Sequence, residues 1–264
     1  VGSNTDANFK ANLLDTNPFS VPGWTFGGWH TESNGVGSNP KQLGAEIDAT
    51  AGTPQTWYAQ WYRVNADGSI TVPGEDGNPN MPGDNVTANG NGVTREPDTG
   101  NISIPAGGNV VKGNGETIAL PNGGTLKPDG TLIIDKPNSG DKIEVKPDGS
   151  TDPNANVVTL TYKANNGTND TRKVYATKGE EIAPLAANTF SYIGYAFLYW
   201  KSGDTIFKTI DKITPTDAMT LSAVWAKDNP DGSMELPGKD GELESPKDQD
   251  NVLVTPGNHP AGNL

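Results

Sequence analysis

The side chains of this sequence that could do acid–base or metal chemistry are its carboxylates and its two histidines. The 264 residues include 32 Asp and Glu, two His and no Cys. His30 and His259 are far apart, and neither has a carboxylate, serine or second histidine at the spacing of a catalytic triad or a zinc site. The absence of cysteine excludes disulfides and thiol catalysis. We therefore expect both histidines to be exposed surface residues, and we do not expect an enzyme.

Paired carboxylates leave one catalytic alternative open. A glycosidase places two carboxyl groups on either side of the scissile bond, and a chain this rich in Asp and Glu could supply such a pair. The pair would have to lie in a deep cleft lined by aromatic residues. The aromatic segments of this chain are too small to build one, so the sequence predicts no catalytic residue and no cofactor.

Acidic turns offer oxygen ligands for calcium, which takes six to eight of them from flexible loops. Such turns occur at residues 76–85 and 240–250. Their spacing differs from that of a helix-flanked calcium loop and they lack its bidentate Glu. Acidic runs are usually solvated surface, so we expect solvated turns. Calcium at the turns around Asp76 and Asp240 is the weaker alternative.

Aromatic residues are the remaining candidates, because exposed Trp and Tyr side chains can stack on sugar rings. Some tryptophans occupy matching places in two segments, and a repeated aromatic in a small domain is typical of its core. These are Trp29, Trp61, Trp200 and Trp225. Other aromatic residues have weaker counterparts and are the predicted ligand contacts: Trp24, Trp57 and Tyr62.

One stretch of the chain recurs 164 residues later. Residues 58–77 and 222–241 are identical at ten of twenty positions without a gap. Both copies contain Ala-x-Trp and run into Asp-Gly-Ser, Pro-Gly and Asp-Gly turns. A long-period repeat indicates an array of modules, and such arrays typically span distance or multiply contacts.

Composition limits the size of any core and the class of partner. Only 33% of residues are hydrophobic, and there are 33 Gly and 21 Pro. Such a chain should form several small cores joined by turns, with disorder as the alternative. The net charge of -13 argues against nucleic acid and anionic membranes as partners. No stretch approaches the roughly 18 apolar residues of a membrane helix.

The distribution of aromatic residues divides the chain into four predicted segments. Residues 1–66 form a divergent or truncated module, because residues 1–12 show no convincing strand pair. Residues 67–153 contain no aromatic residue and form a Gly/Pro/Asn-rich β spacer. Residues 154–228 form a second module, and residues 229–264 begin a second spacer. With repeats at both ends, we interpret the chain as a fragment of a longer protein.

Strand patterns predict a mainly β protein. In the second module, alternating β-branched and aromatic residues predict four strands, and residues 180–187 are the one helix-like stretch. In the spacer, short apolar runs such as 70–73 and 102–105 are too short to be stable alone. We expect them to stack as a β-solenoid or as a rod of short strands. A loose Pro/Gly linker is the alternative.

Both modules share the motif Gly-aromatic-x-Phe-x-x-Trp followed by Ala-x-Trp. It comprises Gly23, Trp24, Phe26, Trp29, Tyr58, Ala59 and Trp61 in one copy, and Gly194, Tyr195, Phe197, Trp200, Leu221, Ala223 and Trp225 in the other. The motif resembles the Listeria–Bacteroides repeat, also called the internalin B-type repeat. The resemblance covers about half of the chain. It implies small β-grasp, ubiquitin-like modules on either side of the spacer, in secreted or wall-attached bacterial surface proteins. The spacer resembles Gly/Pro-rich segments between such repeats in gut Firmicutes.

The sequence therefore predicts a non-catalytic repeat fragment of a cell-surface protein of a Gram-positive bacterium. Its modules would act extracellularly as a stalk or in adhesion, as a monomer, with a host or bacterial surface protein or a glycan as partner. The alternative is a carbohydrate- or glycoprotein-binding appendage of a larger secreted glycan-active enzyme. That alternative depends on Trp24, Trp57 and Tyr62.

Overall fold

The computed structural model describes residues 8–137, 140–237 and 252–254. The protein is mainly β, with 43% strand and 3% helix, and its strands form several sheets. The chain divides into two compact units between Asp152 and Pro153. The predicted boundaries at 66/67 and 228/229 fall inside these units, and strands pair across both of them.

The described part of the first unit consists of short strands joined by Gly-containing turns. They form a path in the order β10-β9-β6-β5-β4-β2, a second sheet in the order β13-β12-β11-β8-β7, and a separate β1-β3 pair. In chain order the strands are β1 (Asn8–Asn12), β2 (Thr25–His30), β3 (Glu46–Thr50), β4 (Tyr58–Val64), β5 (Ile70–Val72), β6 (Val86–Asn89), β7 (Thr94–Arg95), β8 (Ile102–Ile104), β9 (Gly108–Lys112), β10 (Thr117–Leu120), β11 (Gly124–Leu126), β12 (Leu132–Asp135) and β13 (Lys142–Val145).

The described residues of the range 67–153 form strands, so the alternative of a loose linker is wrong. Most of these strands bury alternate residues, as expected for strands with one face in a core. Close packing also explains some glycines. A Cβ on Gly113 would lie 2.3 Å from the Pro82 carbonyl oxygen. The buried apolar side chains are Ile70, Val72, Val86, Ala88, Val110, Ile118 and Leu120 in one sheet, and Ile102, Ile104, Leu126, Leu132, Ile134, Ile143 and Val145 in the other.

The described part of the second unit is built on a mixed sheet in the order β17-β16-β18-β14-β15. Strands β14 and β18 run parallel, and the other neighbours in this order are antiparallel. β19 extends β18 as a hairpin and β20 pairs with β19. The strands are β14 (Val157–Lys163), β15 (Thr171–Thr177), β16 (Tyr195–Ser202), β17 (Thr205–Phe207), β18 (Met219–Asp228), β19 (Met234–Leu236) and β20 (Val252–Val254).

One local expectation is wrong. Residues 180–187 do not form a helix, because Ile182 pairs with Ile213 as an isolated β-bridge. The helical turn of this region is a 3-10 turn at Ala187–Thr189. The described residues of 1–12 form one strand, β1, whose partner is β3 at residues 46–50.

The repeated motif folds the same way in both units. Phe26 pairs with Trp61 in the β2–β4 ladder, and Phe197 pairs with Trp225 in the β16–β18 ladder. A register shift follows each pair, at Phe26/Gly28 and at Phe197/Tyr199. The rings keep their geometry as well, because Phe26–Trp29 and Phe197–Trp200 both lie 5.0 Å apart between centroids. The sequence repeat is therefore a structural repeat.

Candidate functional site

A groove of about 630 Å³ with aromatic lining lies in the first unit. One wall is the start of β4 and the residue before it, with Trp57, Tyr58, Ala59 and Trp61. The other walls are residues 18–21 and the turn at residues 76–80. The groove therefore combines a strand, exposed aromatic rings and an acidic turn. We refer to it as the β4 groove.

Of the three predicted ligand contacts, only Trp57 lines the β4 groove. Its side chain is half-buried, and its indole Nε1 is buried without a hydrogen-bond partner among the described residues. Trp24 is also half-buried and carries the Arg63 guanidinium 5.1 Å from its ring centroid. The structure does not bring Trp24 into the groove.

Tyr62 belongs to a different feature, on the Arg95 side of the strand. The Arg95 guanidinium carbon lies 4.3 Å from the Tyr62 ring centroid, and Arg95 Nη2 donates to the Gly27 carbonyl at 3.0 Å. Burial lowers the pKa of the Arg95 guanidinium from its ordinary value. Both residues line a cavity of only about 10 Å³. This cavity is too small for a ligand larger than water.

The matched tryptophans behave as core residues in three of four cases. Trp29, Trp200 and Trp225 are buried, as expected. Trp61 is half-buried and lines the β4 groove, so its assignment to the core is only partly correct. Tyr58 and Phe19, which the sequence did not single out as ligand contacts, are 43% and 58% exposed there.

The matched indoles differ in their hydrogen bonds. In the second unit, Trp200 Nε1 donates to the Leu185 carbonyl at 2.9 Å and Trp225 Nε1 donates to the Ala164 carbonyl at 2.8 Å. In the first unit, Trp29 Nε1 is buried without a partner among the described residues. A buried donor without a partner costs about 1–3 kcal/mol. The first module therefore keeps the buried tryptophan, but among the described residues it has no hydrogen-bond acceptor for the indole N–H.

The histidines do not form a site. His30 is only 1% exposed, so the expectation of a surface residue is wrong for it. Its Nδ1 accepts from the Glu32 N–H at 2.8 Å and its Nε2 lies 2.7 Å from the Ser38 carbonyl oxygen. These contacts fix the ring as a structural part of the loop after β2. His259 lies outside the described residues.

Several Asp carboxylates of the chain stabilise turns by accepting hydrogen bonds from the residue two positions further on. Asp67 accepts from the Ser69 hydroxyl at 2.6 Å and from its N–H at 3.0 Å, and Asp231 does the same with Ser233. The bonds from the Ser69 hydroxyl, and then from its N–H, lower the pKa of the Asp67 carboxyl. Such Asx turns support hairpins. These carboxylates are structural.

The acidic turn at Asp76 is built in the same way. Asp76 accepts from the Asn78 N–H at 2.7 Å, and Asn78 accepts from the Asn80 N–H at 3.0 Å. Across the residues that the structure describes, no group of three or more His, Asp or Glu is arranged to hold a metal ion. Calcium at Asp76 stays a prediction, and Asp240 lies outside the described residues.

Comparisons with known proteins and a search for membrane helices add little to this geometry. No protein-family model, curated protein or solved structure matches the chain. No helix in the described ranges has the length and apolar character needed to cross a bilayer. The β4 groove is therefore the candidate binding site in the described part of the chain.

Proposed function

We propose that the chain is a repeat fragment of a bacterial cell-surface protein whose β modules act as a stalk or in adhesion, without catalysis. The observation that carries this proposal is the structural repeat. Two antiparallel strand pairs, β2–β4 and β16–β18, share register, bulge and ring geometry. Repetition of a unit is how proteins multiply contacts or extend a surface.

The strand order of the second unit supports a β-grasp assignment for the module. A hairpin, β14–β15, is followed by a crossover that ends in β16, and β18, the last of the five strands β14 to β18, lies parallel to β14 in the middle of the sheet. This is the arrangement expected of the ubiquitin-like fold that the Listeria–Bacteroides resemblance implies. In the first unit, only a part of this arrangement recurs: β2, β4 and β5 correspond to β16, β18 and β19.

The spacer supports the stacked-strand interpretation over the solenoid. The pairings of β5 to β13 in the described residues are antiparallel. Parallel pairing between successive coils is the mark of a β-helical solenoid. We therefore propose that residues 67–153 act as a structured spacer of short antiparallel strands. Its cysteine-free, acidic, Asn-rich composition is compatible with the outside of a Gram-positive cell.

Surface labelling tests this proposal. Antibodies raised against the folded chain should bind intact, unpermeabilised cells of the organism that makes it. Labelling that requires cell lysis would contradict an extracellular role. A screen of the purified chain against polysaccharides and glycosides should show no hydrolysis, and turnover would contradict the non-catalytic assignment.

A second candidate function is glycan or glycoprotein binding, as an appendage of a larger secreted glycan-active enzyme. The half-buried rings of Trp24 and Trp57 favour it, because partly accessible indole rings can stack on sugar rings. The test is a glycan array with the wild-type chain and the Trp24→Ala and Trp57→Ala variants. Binding that is lost in a variant with an unchanged melting temperature would support this function. No binding by the wild type would exclude the glycans of the array as ligands.

A further inference from the structure

The first module leaves one side of β4 open. Strand β2 pairs with one side of β4, and β5 pairs only with its last two residues, Arg63 and Val64. Among the described residues, no strand pairs with residues 55–57 or with the start of β4 on the side away from β2. Unpaired strand edges present free N–H and C=O groups, which readily accept another strand.

The second unit shows what covers the equivalent edge. There β19 pairs only with the last two residues of β18, as β5 does with β4. The beginning of β18 pairs in parallel with β14, from Met219 opposite Leu160 to Ser222 opposite Lys163. With the repeat offset of 164 residues, this edge corresponds to residues 55–58 of the first module.

The segment after β14 adds three hydrogen bonds to the neighbouring elements. The Ala164 carbonyl accepts from Trp225 Nε1, Asn165 donates to the Ala223 carbonyl at 3.1 Å, and Asn166 donates to the Ser191 carbonyl at 2.7 Å. The three residues that this segment contacts, Trp225, Ala223 and Ser191, have counterparts in the first module. All three counterparts line the β4 groove: Trp61, Ala59 and Ser20.

Burial and an unpaired donor point to the same missing element. Leu221, which lies opposite Tyr162 of β14, is fully buried. Its counterpart Trp57 is half-buried, and its indole N–H has no partner among the described residues.

We propose that the β4 groove binds a β-hairpin of the β14–β15 type by strand addition parallel to β4. The first strand of that hairpin would alternate apolar and polar residues and end in Ala-Asn-Asn, as residues 157–166 do. The described part of this chain holds one such hairpin, and β18 already uses it. Strand addition obtains affinity from main-chain hydrogen bonds and specificity from alternate side chains.

Charge favours this occupant. Residues 157–178 contain Lys163, Arg172, Lys173 and Lys178 against a single acidic residue, Asp170. The groove contains Asp76, and the chain as a whole carries a net charge of -13. A basic hairpin is therefore attracted to an acidic receptor. The inference rests on the matched geometry of the two units and does not depend on the proposed cell-surface role.

Binding of a synthetic peptide to the full chain tests the proposal. The peptide comprises residues 154–178 with a fluorophore, and anisotropy reports its binding. We expect saturable binding to the wild-type chain and to Thr56→Ala. Thr56→Pro, which removes the N–H of an exposed edge residue, should weaken binding at least tenfold. A peptide with Asn165→Ala and Asn166→Ala should also bind more weakly.

A second readout does not depend on any variant. In the wild-type chain, peptide addition should shift the indole N–H resonance of Trp61, because the proposal gives it a new acceptor. No saturable binding, or equal binding of a scrambled peptide, overturns the proposal. Concentration-dependent dimerisation that blocks the peptide would place another surface of a second copy in the groove, because the β14–β15 hairpin of that copy already pairs with its own β18, and would overturn the proposal. Displacement of the peptide by a glycan that binds more tightly would assign the groove to sugars.

Discussion

The β2–β4 strand pair of the first unit and the β16–β18 strand pair of the second are built from one motif but are supported differently. Both place Phe opposite Trp, followed by a bulge, and both put Trp opposite Ala further along. Among the described residues, only the second pair has a parallel strand on the far side of its last long strand. The motif is sufficient to specify register and ring packing, whereas satisfaction of the tryptophan N–H groups depends on neighbouring elements.

Replacement of the second matched tryptophan of each unit by alanine should give the largest difference in stability loss between the two units. Trp225 is buried and hydrogen-bonded, so Trp225→Ala should destabilise its unit by about 3–5 kcal/mol. Trp61 is half-buried, so Trp61→Ala should cost its unit only about 1–2 kcal/mol. Urea unfolding followed by NMR signals of each unit measures both. Equal costs would mean that the two sites are equally packed.

Replacement of the first matched tryptophan by phenylalanine separates hydrogen bonding from packing. Trp200→Phe leaves the buried Leu185 carbonyl without its donor and should cost about 2–3 kcal/mol. Trp29→Phe removes a donor that has no partner, so it should cost less than about 1.5 kcal/mol. The same unfolding experiment applies. A larger cost for Trp29→Phe than for Trp200→Phe would contradict the assignment of the unpaired indole.

Asn165 tests the contribution of the segment after β14. Its φ of 48° lies in the left-handed region, and its side chain donates to the Ala223 carbonyl. Asn165→Ala should cost about 1–2 kcal/mol, because it loses the bond and strains the backbone. Asn165→Gly is the matched control, since glycine adopts positive φ without strain, and it should cost less. If both variants match the wild type in thermal unfolding, this segment does not secure β14.

The smallest difference is expected at the Asp-Gly-Ser turns, which should behave alike in the two units. Hydrogen bonds lower the pKa values of Asp67 and Asp231. Their stabilising effect is therefore complete above the unfolded-state pKa of about 3.9 and is lost as the pH falls through the lower folded-state pKa. Ser69→Ala and Ser233→Ala should each raise the pKa of the adjacent Asp. NMR titration of the carboxyl carbons checks this, and an unchanged pKa would show that the hydroxyl does not cause the shift.

The sequence predicts the strands of this protein well and its supporting contacts poorly. The spacer strands and those of the second module were recognisable because β-branched and aromatic runs lie between Gly and Asn turns. The short apolar runs of the spacer also predicted stacked strands there, and the structure buries the apolar residues of these strands in a core.

The candidate site could be predicted only in part. Trp57 was identified because its counterpart is not aromatic, whereas Trp61 was assigned to the core because a tryptophan, Trp225, recurs at the matching place. Equivalent sequence does not imply equivalent burial when a neighbouring strand is missing. Phe19 was also overlooked, although Asn17-x-Phe19-Ser20 repeats as Asn188-x-Phe190-Ser191 and both Phe residues pack edge-on against the matched Trp.

Amide hydrogen exchange of the two equivalent edges tests the central claim most directly. The claim is that residues 56–58 lack the strand neighbour that β14 provides for residues 220–222. In the isolated wild-type chain, at least one amide of residues 220–222 should exchange roughly 100-fold more slowly than every amide of residues 56–58. Equal protection of the two stretches would show that the edge of β4 is already paired, and would contradict the account.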